Sequence, residues 1–228
     1  MVKFSLNTGS EYTLVQAAVL CRQYGIGNLE LCSEMGGSKF TDIPLNEIKE
    51  IVLENKLHIP ALNFNSKDDT DEETLRAIFD KCSALMIRKV ITGGNDSLNR
   101  ALKLGGLYGI EVGFENNAGT DLNDPAAIDA FYSGGGRAFM AFNPGNFAAI
   151  RNHPYFGVFY AGKCKKHIAF LRIVEKLYTG EEAPLFCGHS EIKELISALI
   201  ARSFNGYFTL YPGMMCYYPV LKNTMLAL

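Results

Sequence analysis

The chain has no excess of charge of one sign, no long apolar run, no paired cysteines and no glycine-rich dinucleotide fingerprint. Each absence closes off a class of function. Its 22 Lys and Arg stand against 24 Asp and Glu, for a formal net charge of −2, so no basic surface points to a nucleic-acid partner. Nothing approaches the roughly 20 apolar residues of a membrane span. The stretch "MVKFSLNTGSEY" lacks the apolar run that follows the basic end of a signal peptide. The expectation is a cytoplasmic protein with no membrane and no nucleic-acid partner. Six cysteines, Cys21, Cys32, Cys82, Cys164, Cys187 and Cys216, show no CxxC or CxH spacing. That argues against a zinc module and, in a chain this long, against a disulfide framework. Reduced, mostly packed thiols are expected.

What is there is alternation. With 228 residues and 48% hydrophobic content, the chain is large enough for one globular domain, 1–228. Short β-like runs take turns with helical patterns. "KFSLN" (3–7) precedes a helix expected to open near Ser10 and Glu11, with Leu14, Ala17, Ala18 and Cys21 at helical spacing. "NLELC" (28–32) precedes a helix opened by Pro44, and "HIPALNF" (58–64) one whose first turn carries Asp71, Glu72 and Glu73, the charge a helix N-terminus favours. "KVIT" (89–92) leads to a helix over about 96–107, and "IEVGFE" (110–115) to one starting at Pro125. "AFMAFN" (138–143), a helical stretch around 154–163, "IAFLRIV" (168–174), a helix over 190–203 and "YFTLY" (207–211) complete the series.

Eight strands separated by helices must run parallel, because each crossover returns the chain to the same edge of the sheet. Eight such units imply an α/β fold closed as a (β/α)8 TIM barrel. A doubly wound open sheet usually has fewer strands and often carries the GxGxxG turn that is missing here. The tail "YPGMMCYYPVLKNTMLAL" is short for a full eighth helix, so the expected barrel is trimmed at its C-terminal helix.

Strand parity locates the polar groups. Phe4 and Leu6, Leu29 and Leu31, Leu62 and Phe64, Val112 and Phe114, Met140 and Phe142, Leu171 and Ile173, and Phe208 and Leu210 share the face expected toward the helices. The opposite parity ends in Asn7, Glu30 and Cys32, Asn63, Glu115, Asn143, Arg172 and Tyr211. Such barrels build their sites where these strand ends converge.

The segments "GIGNLEL", "GIEVGFENN", "FNPGNF" and "FNGYFTLY", in that order and spacing, make the chain resemble the sugar phosphate isomerase/epimerase group with the xylose-isomerase-like barrel, which includes barrel endonucleases acting on abasic DNA. The resemblance spans nearly the whole chain. It implies a divalent metal held by a Glu ending strand five, an Asp ending strand six, a His on strand seven and a Glu ending strand eight, with the two glutamates moving a proton across an enediolate. Glu115 matches the first of these positions. The usual Asp-Pro-Gly-Asn reads Asn143-Pro144-Gly145-Asn146, Arg172 stands at the His position, and Tyr211 stands at the second glutamate. The further His ligands of the endonucleases are missing from strands three and four.

A divalent cation needs anionic oxygen or neutral imidazole donors, and a guanidinium offers neither a lone pair nor a tolerable charge. No metal and no other cofactor is expected. Glu115 is instead expected to meet Arg172 in a bidentate ion pair, with Asn143 bridging the two and Tyr211 closing the ring. Two functions stay open. One is a metal-independent isomerase or epimerase of carbohydrate metabolism with Glu115 as catalytic base, Tyr211 as acid, and Glu30, Asn63, Asn143, Arg172 and Tyr211 binding a small sugar-like molecule. The other is a non-catalytic sugar-binding or assembly subunit with a relic site. Self-association as a homo-oligomer is left open.

Elsewhere the simpler readings lead. Ser190 is expected to cap a helix beside His189. Gly93-Gly94-Asn95 reads as a tight strand-to-helix bend. "YPGMMCYYP" reads as core or interface packing, with a lid over the strand ends as the alternative.

Overall fold

The computed structural model describes residues 2–64, 71–93 and 96–227. Eight strands alternate with helices: β1 Lys3–Asn7, β2 Leu29–Cys32, β3 Leu62–Phe64, β4 Lys89–Thr92, β5 Glu111–Glu115, β6 Phe139–Phe142, β7 Ile168–Arg172 and β8 Tyr207–Leu210. They close a parallel barrel in the order β1-β8-β7-β6-β5-β4-β3-β2. Helices α1 Leu14–Tyr24, α2 Leu45–Glu54, α3 Glu72–Ala84, α4 Asp96–Tyr108, α5 Pro125–Ser133, α6 Pro144–Ala149, α7 Ile192–Ala201 and α8 Tyr218–Leu226 lie between and after them. Among the described residues no helix is long and apolar enough to cross a membrane.

Contacts gather the chain into two compact units, Phe4–Phe114 and residues 2–3 with 115–227. In the first, α1 opens at Leu14 rather than near Ser10, because Thr13 supplies a capping box: its hydroxyl accepts from Gln16 N, and the Gln16 side chain accepts from Thr13 N. Gly25 ends the helix at φ 67°, a left-handed position that costs glycine little. Helix α3 is capped by Asp71, whose carboxyl is lowered by the Thr74 N–H and hydroxyl. The core of this unit comprises Leu6, Leu29, Leu31, Leu62, Val90 and Phe114, all buried. Gly94 and Asn95 of the expected Gly-Gly-Asn bend lie outside the described residues.

In the second unit the alternation contains one irregularity that matters. Met140 pairs with Ile168, but Ala141 then pairs with Phe170, so β7 carries an extra residue, Ala169, at a bulge. Beyond the bulge, Ala141, Phe170 and Tyr207 share one row, and Arg172 stands beside Thr209 two rows on. A Cβ at Gly206 would collide with the Ala169 carbonyl, which explains a glycine just before β8. Phe170 lies between Phe139 and Tyr207, at centroid distances of 5.8 and 5.3 Å. Phe170 stacks on Tyr207, is tilted against Phe139, and carries the Arg172 guanidinium over its ring.

Two expected elements take a particular form. The helical stretch around 154–163 is a π-helix over Pro154–Tyr160. The tail ends, as its length implied, in a short last helix: a 3-10 turn over Pro212–Tyr217 leads into α8, nine residues that bury Tyr218, Leu221 and Met225. Pro212 and Pro219 end one element and begin the next by fixing φ at helix starts.

Candidate functional site

Within the second unit, four polar residues end successive strands. Glu115 closes β5, Asn143 follows β6, Arg172 closes β7 and Tyr211 follows β8. Arg172 is fully buried and is the largest side chain that is. Its guanidinium carbon lies 5.8 Å from the Phe170 ring centroid. Nε donates to Glu115 Oε2 at 2.9 Å, and Nη2 lies 2.9 Å from the same oxygen. Both of these contacts are with Oε2 and not one with each oxygen, and Oε1 accepts from Asn143 Nδ2 at 2.9 Å and from the Tyr211 hydroxyl at 3.5 Å.

Asn143 does not bridge the pair either. Its amide faces Glu115 alone, and its Oδ1 is buried with no hydrogen-bond partner among the described residues. The reason lies in its backbone. Asn143 N donates to Asn116 Oδ1 at 2.7 Å, and Asn116 Nδ2 donates back to the Asn143 carbonyl at 2.8 Å. One side-chain amide thus acts as a further residue of sheet pairing past the ends of β5 and β6. Asn146 Nδ2 then donates to the Asn116 carbonyl, and Lys176 Nζ to Asn146 Oδ1. Gly145, between them, has no room for a side chain, since a Cβ would sit 2.7 Å from Val174 Cγ1.

A second buried carboxylate, Glu175, organises the long connection after β7. Its Oε1 accepts from Ser190 N at 2.9 Å and its Oε2 from Phe186 N at 3.1 Å. Burial pushes this carboxyl above its ordinary range, and the two backbone N–H groups only partly counter that. Gly188 fits because a Cβ would lie 2.7 Å from Glu175 Oε1. Ser190 does not cap α7. Its hydroxyl accepts from Lys176 N, and the cap position belongs to Glu191 at φ 50°. His189 likewise serves the connection: Nδ1 accepts from Tyr178 N, and the ring stacks on Tyr178 at 3.9 Å.

The other expected site residues lie in the first unit. Glu30 is buried and its Oε1 accepts from Asn7 Nδ2 at 2.7 Å, while Cys32 Sγ donates to Asn7 Oδ1 at 3.0 Å. Asn63, also buried, pairs in register with Cys32. In "YPGMMCYYP", Met215 and Tyr218 are buried while Cys216 is exposed.

Sequence reasoning passed over Asn116, Asn146 and Glu175. The signal for the first two was there: an Asn one residue past a strand carboxylate, and another three residues past the next strand end. Glu175 was marked only by an acidic residue at the end of the apolar run "FLRIVEK".

No family model matches the chain, and a search of curated proteins finds no match. Solved structures do match. A D-tagatose 3-epimerase-like protein superposes with a TM-score of 0.79 at 14% identity, covering 99% of this chain and 98% of that one. The probable 3-DHS dehydratase AsbF from Bacillus anthracis, involved in petrobactin synthesis, gives 0.74 at 13% over 99% and 98%. A xylose isomerase-like TIM barrel protein from Mycobacterium smegmatis, in complex with magnesium, gives 0.69 at 15% over 92% and 90%. The fold is that of the xylose isomerase-like TIM barrels. In this xylose isomerase-like barrel the described residues contain no group of three or more His, Cys, Asp and Glu side chains placed to hold a metal ion. Glu115, Asn143, Arg172 and Tyr211 bring a carboxylate, an amide, a guanidinium and a phenol to the ends of β5 to β8.

Proposed function

We propose that this barrel binds a small sugar-like metabolite at the C-terminal ends of β5 to β8 without a divalent metal. The observation that carries the reading is the buried contact of Arg172 Nε with Glu115 Oε2 at 2.9 Å. The donor set does not fit a metal: Arg172 has no lone pair to give, and its charge repels a second cation from the only carboxylate of the cluster. Glu115, Asn143, Arg172 and Tyr211 are read as the ligand-contacting set. Glu30 and Asn63 remain candidates on the first unit. The resemblance in fold to D-tagatose 3-epimerase-like and xylose isomerase-like proteins supports a polyhydroxylated ligand, as an analogy of fold.

Titration calorimetry with D-tagatose, D-allulose and D-xylulose tests this. Saturable binding unchanged by a chelator is expected, together with no thermal stabilisation by magnesium or manganese. Binding that requires either ion overturns the proposal.

A second reading, metal-independent isomerisation, is favoured by one feature: the Tyr211 hydroxyl reaches Glu115 Oε1, while Arg172 Nε and Nη2 lie against Oε2. Glu115 would take the proton and Tyr211 supply it. Tyr211 stands where a second carboxylate would be needed, so binding without turnover is the primary reading. Exchange of solvent deuterium into D-tagatose, abolished in Glu115→Gln, would establish the second.

A further inference from the structure

We infer that Asn143 is the specificity-determining residue of this site and that its Oδ1 accepts a hydrogen bond from a hydroxyl of the bound ligand, an inference that rests on the ligand-binding function proposed above. Asn143 is only 6% exposed, and its Oδ1 has no partner among the described residues. The amide cannot be turned round to cure this. Nδ2 donates to Glu115 Oε1, and a flipped amide would set one acceptor against another. Nor can the backbone relax, because Asn116 holds both the N–H and the carbonyl of Asn143. A buried acceptor locked in place without a donor is costly, and native proteins usually supply the missing partner.

Arg172 Nε and the Tyr211 hydroxyl both point to Glu115, and Arg172 Nη2 lies 2.9 Å from Glu115 Oε2. The missing donor then comes from the ligand, which sets its chemistry at this point. Asn143 Oδ1 and Glu115 present acceptors, and the charge of Arg172 is already met by Glu115. A neutral hydroxyl fits there. A carboxylate or phosphate oxygen does not, having no proton to give and two acceptors to face. Tyr211, beside them, is only half-buried, and its hydroxyl lies 3.5 Å from Glu115 Oε1.

The test is calorimetry of D-tagatose and its series of single deoxy-fluoro derivatives, against the unaltered protein and Asn143→Leu. Fluorine keeps the size of a hydroxyl and cannot donate. One position is expected to lose about tenfold in affinity for the unaltered protein and to lose less than that by most of the margin in Asn143→Leu, where the acceptor is gone. Should Asn143→Leu fail to fold, Asn143→Ala takes its place. Equal losses in both proteins, or a fluorinated series that binds as tightly as D-tagatose throughout, overturn the inference and leave sugar binding standing. D-tagatose that binds to neither protein overturns the ligand-binding reading, and this inference with it.

Discussion

Replacing Arg172 with Met should destabilise the protein severely, and the structure sets the size of the effect. Arg172 is fully buried and the Glu115 side chain is 3% exposed, so removing the guanidinium strands a carboxylate in a dry environment. Breaking a buried pair from one side costs about 3–5 kcal/mol. For a chain of this size each kcal/mol lowers the melting temperature by roughly 2–4 °C, so the variant should melt about 6–20 °C lower, at any salt concentration, because neither charge is screened by solvent. The double variant Glu115→Leu with Arg172→Met removes both charges and should recover at least half of the loss. Urea unfolding of the four proteins of this cycle gives the coupling directly. A single Arg172→Met loss below about 1 kcal/mol, the value of an exposed pair, would refute the claim that the pair is desolvated and mutually dependent.

Three further outcomes are expected. Burial holds the Glu175 carboxyl above its ordinary value, so the folded chain binds a proton that the unfolded chain releases. Stability should therefore rise as pH falls through the raised folded value toward the ordinary carboxylate value, and urea midpoints against pH should flatten in Glu175→Gln. Cys21, Cys82 and Cys164 are buried with thiols pushed up to about 12, whereas Cys187 and Cys216 are exposed. A thiol reagent at neutral pH should label the exposed two quickly and those three only after unfolding. Gly188→Ala places a Cβ 2.7 Å from Glu175 Oε1 and from the Lys176 carbonyl, and should cost about 1–3 kcal/mol by urea unfolding.

Much of this barrel is written in short-range patterns. Leu29 and Leu31, or Phe208 and Leu210, alternate with inward residues strictly enough to assign faces, and Pro125 and Asp71 announce their helices. Parity also picks out the polar strand ends, because the pleat has a period of two. What parity cannot reveal is which atom meets which. Arg172 Nε and Nη2 meet one Glu115 oxygen and Asn143 meets the other, and Asn143 is held by Asn116, 27 residues away. Thr13 displaced the expected start of α1 because a capping box competes with simple periodicity. Ser190 read as a cap, yet its backbone N–H and hydroxyl were drawn to Glu175 and Lys176, partners in a connection whose folding no local pattern encodes.

The bulge at Ala169 gives β7 a frame-dependent meaning. Deleting that one amino acid would restore an unbroken ladder and rotate everything before it by half a turn, so that Ile168 changed sides while Phe170 and Arg172 kept theirs. A lineage could thus re-tailor the floor of this half-barrel by a three-nucleotide deletion without disturbing the arginine above, provided Gly206 no longer had a protruding carbonyl to accommodate.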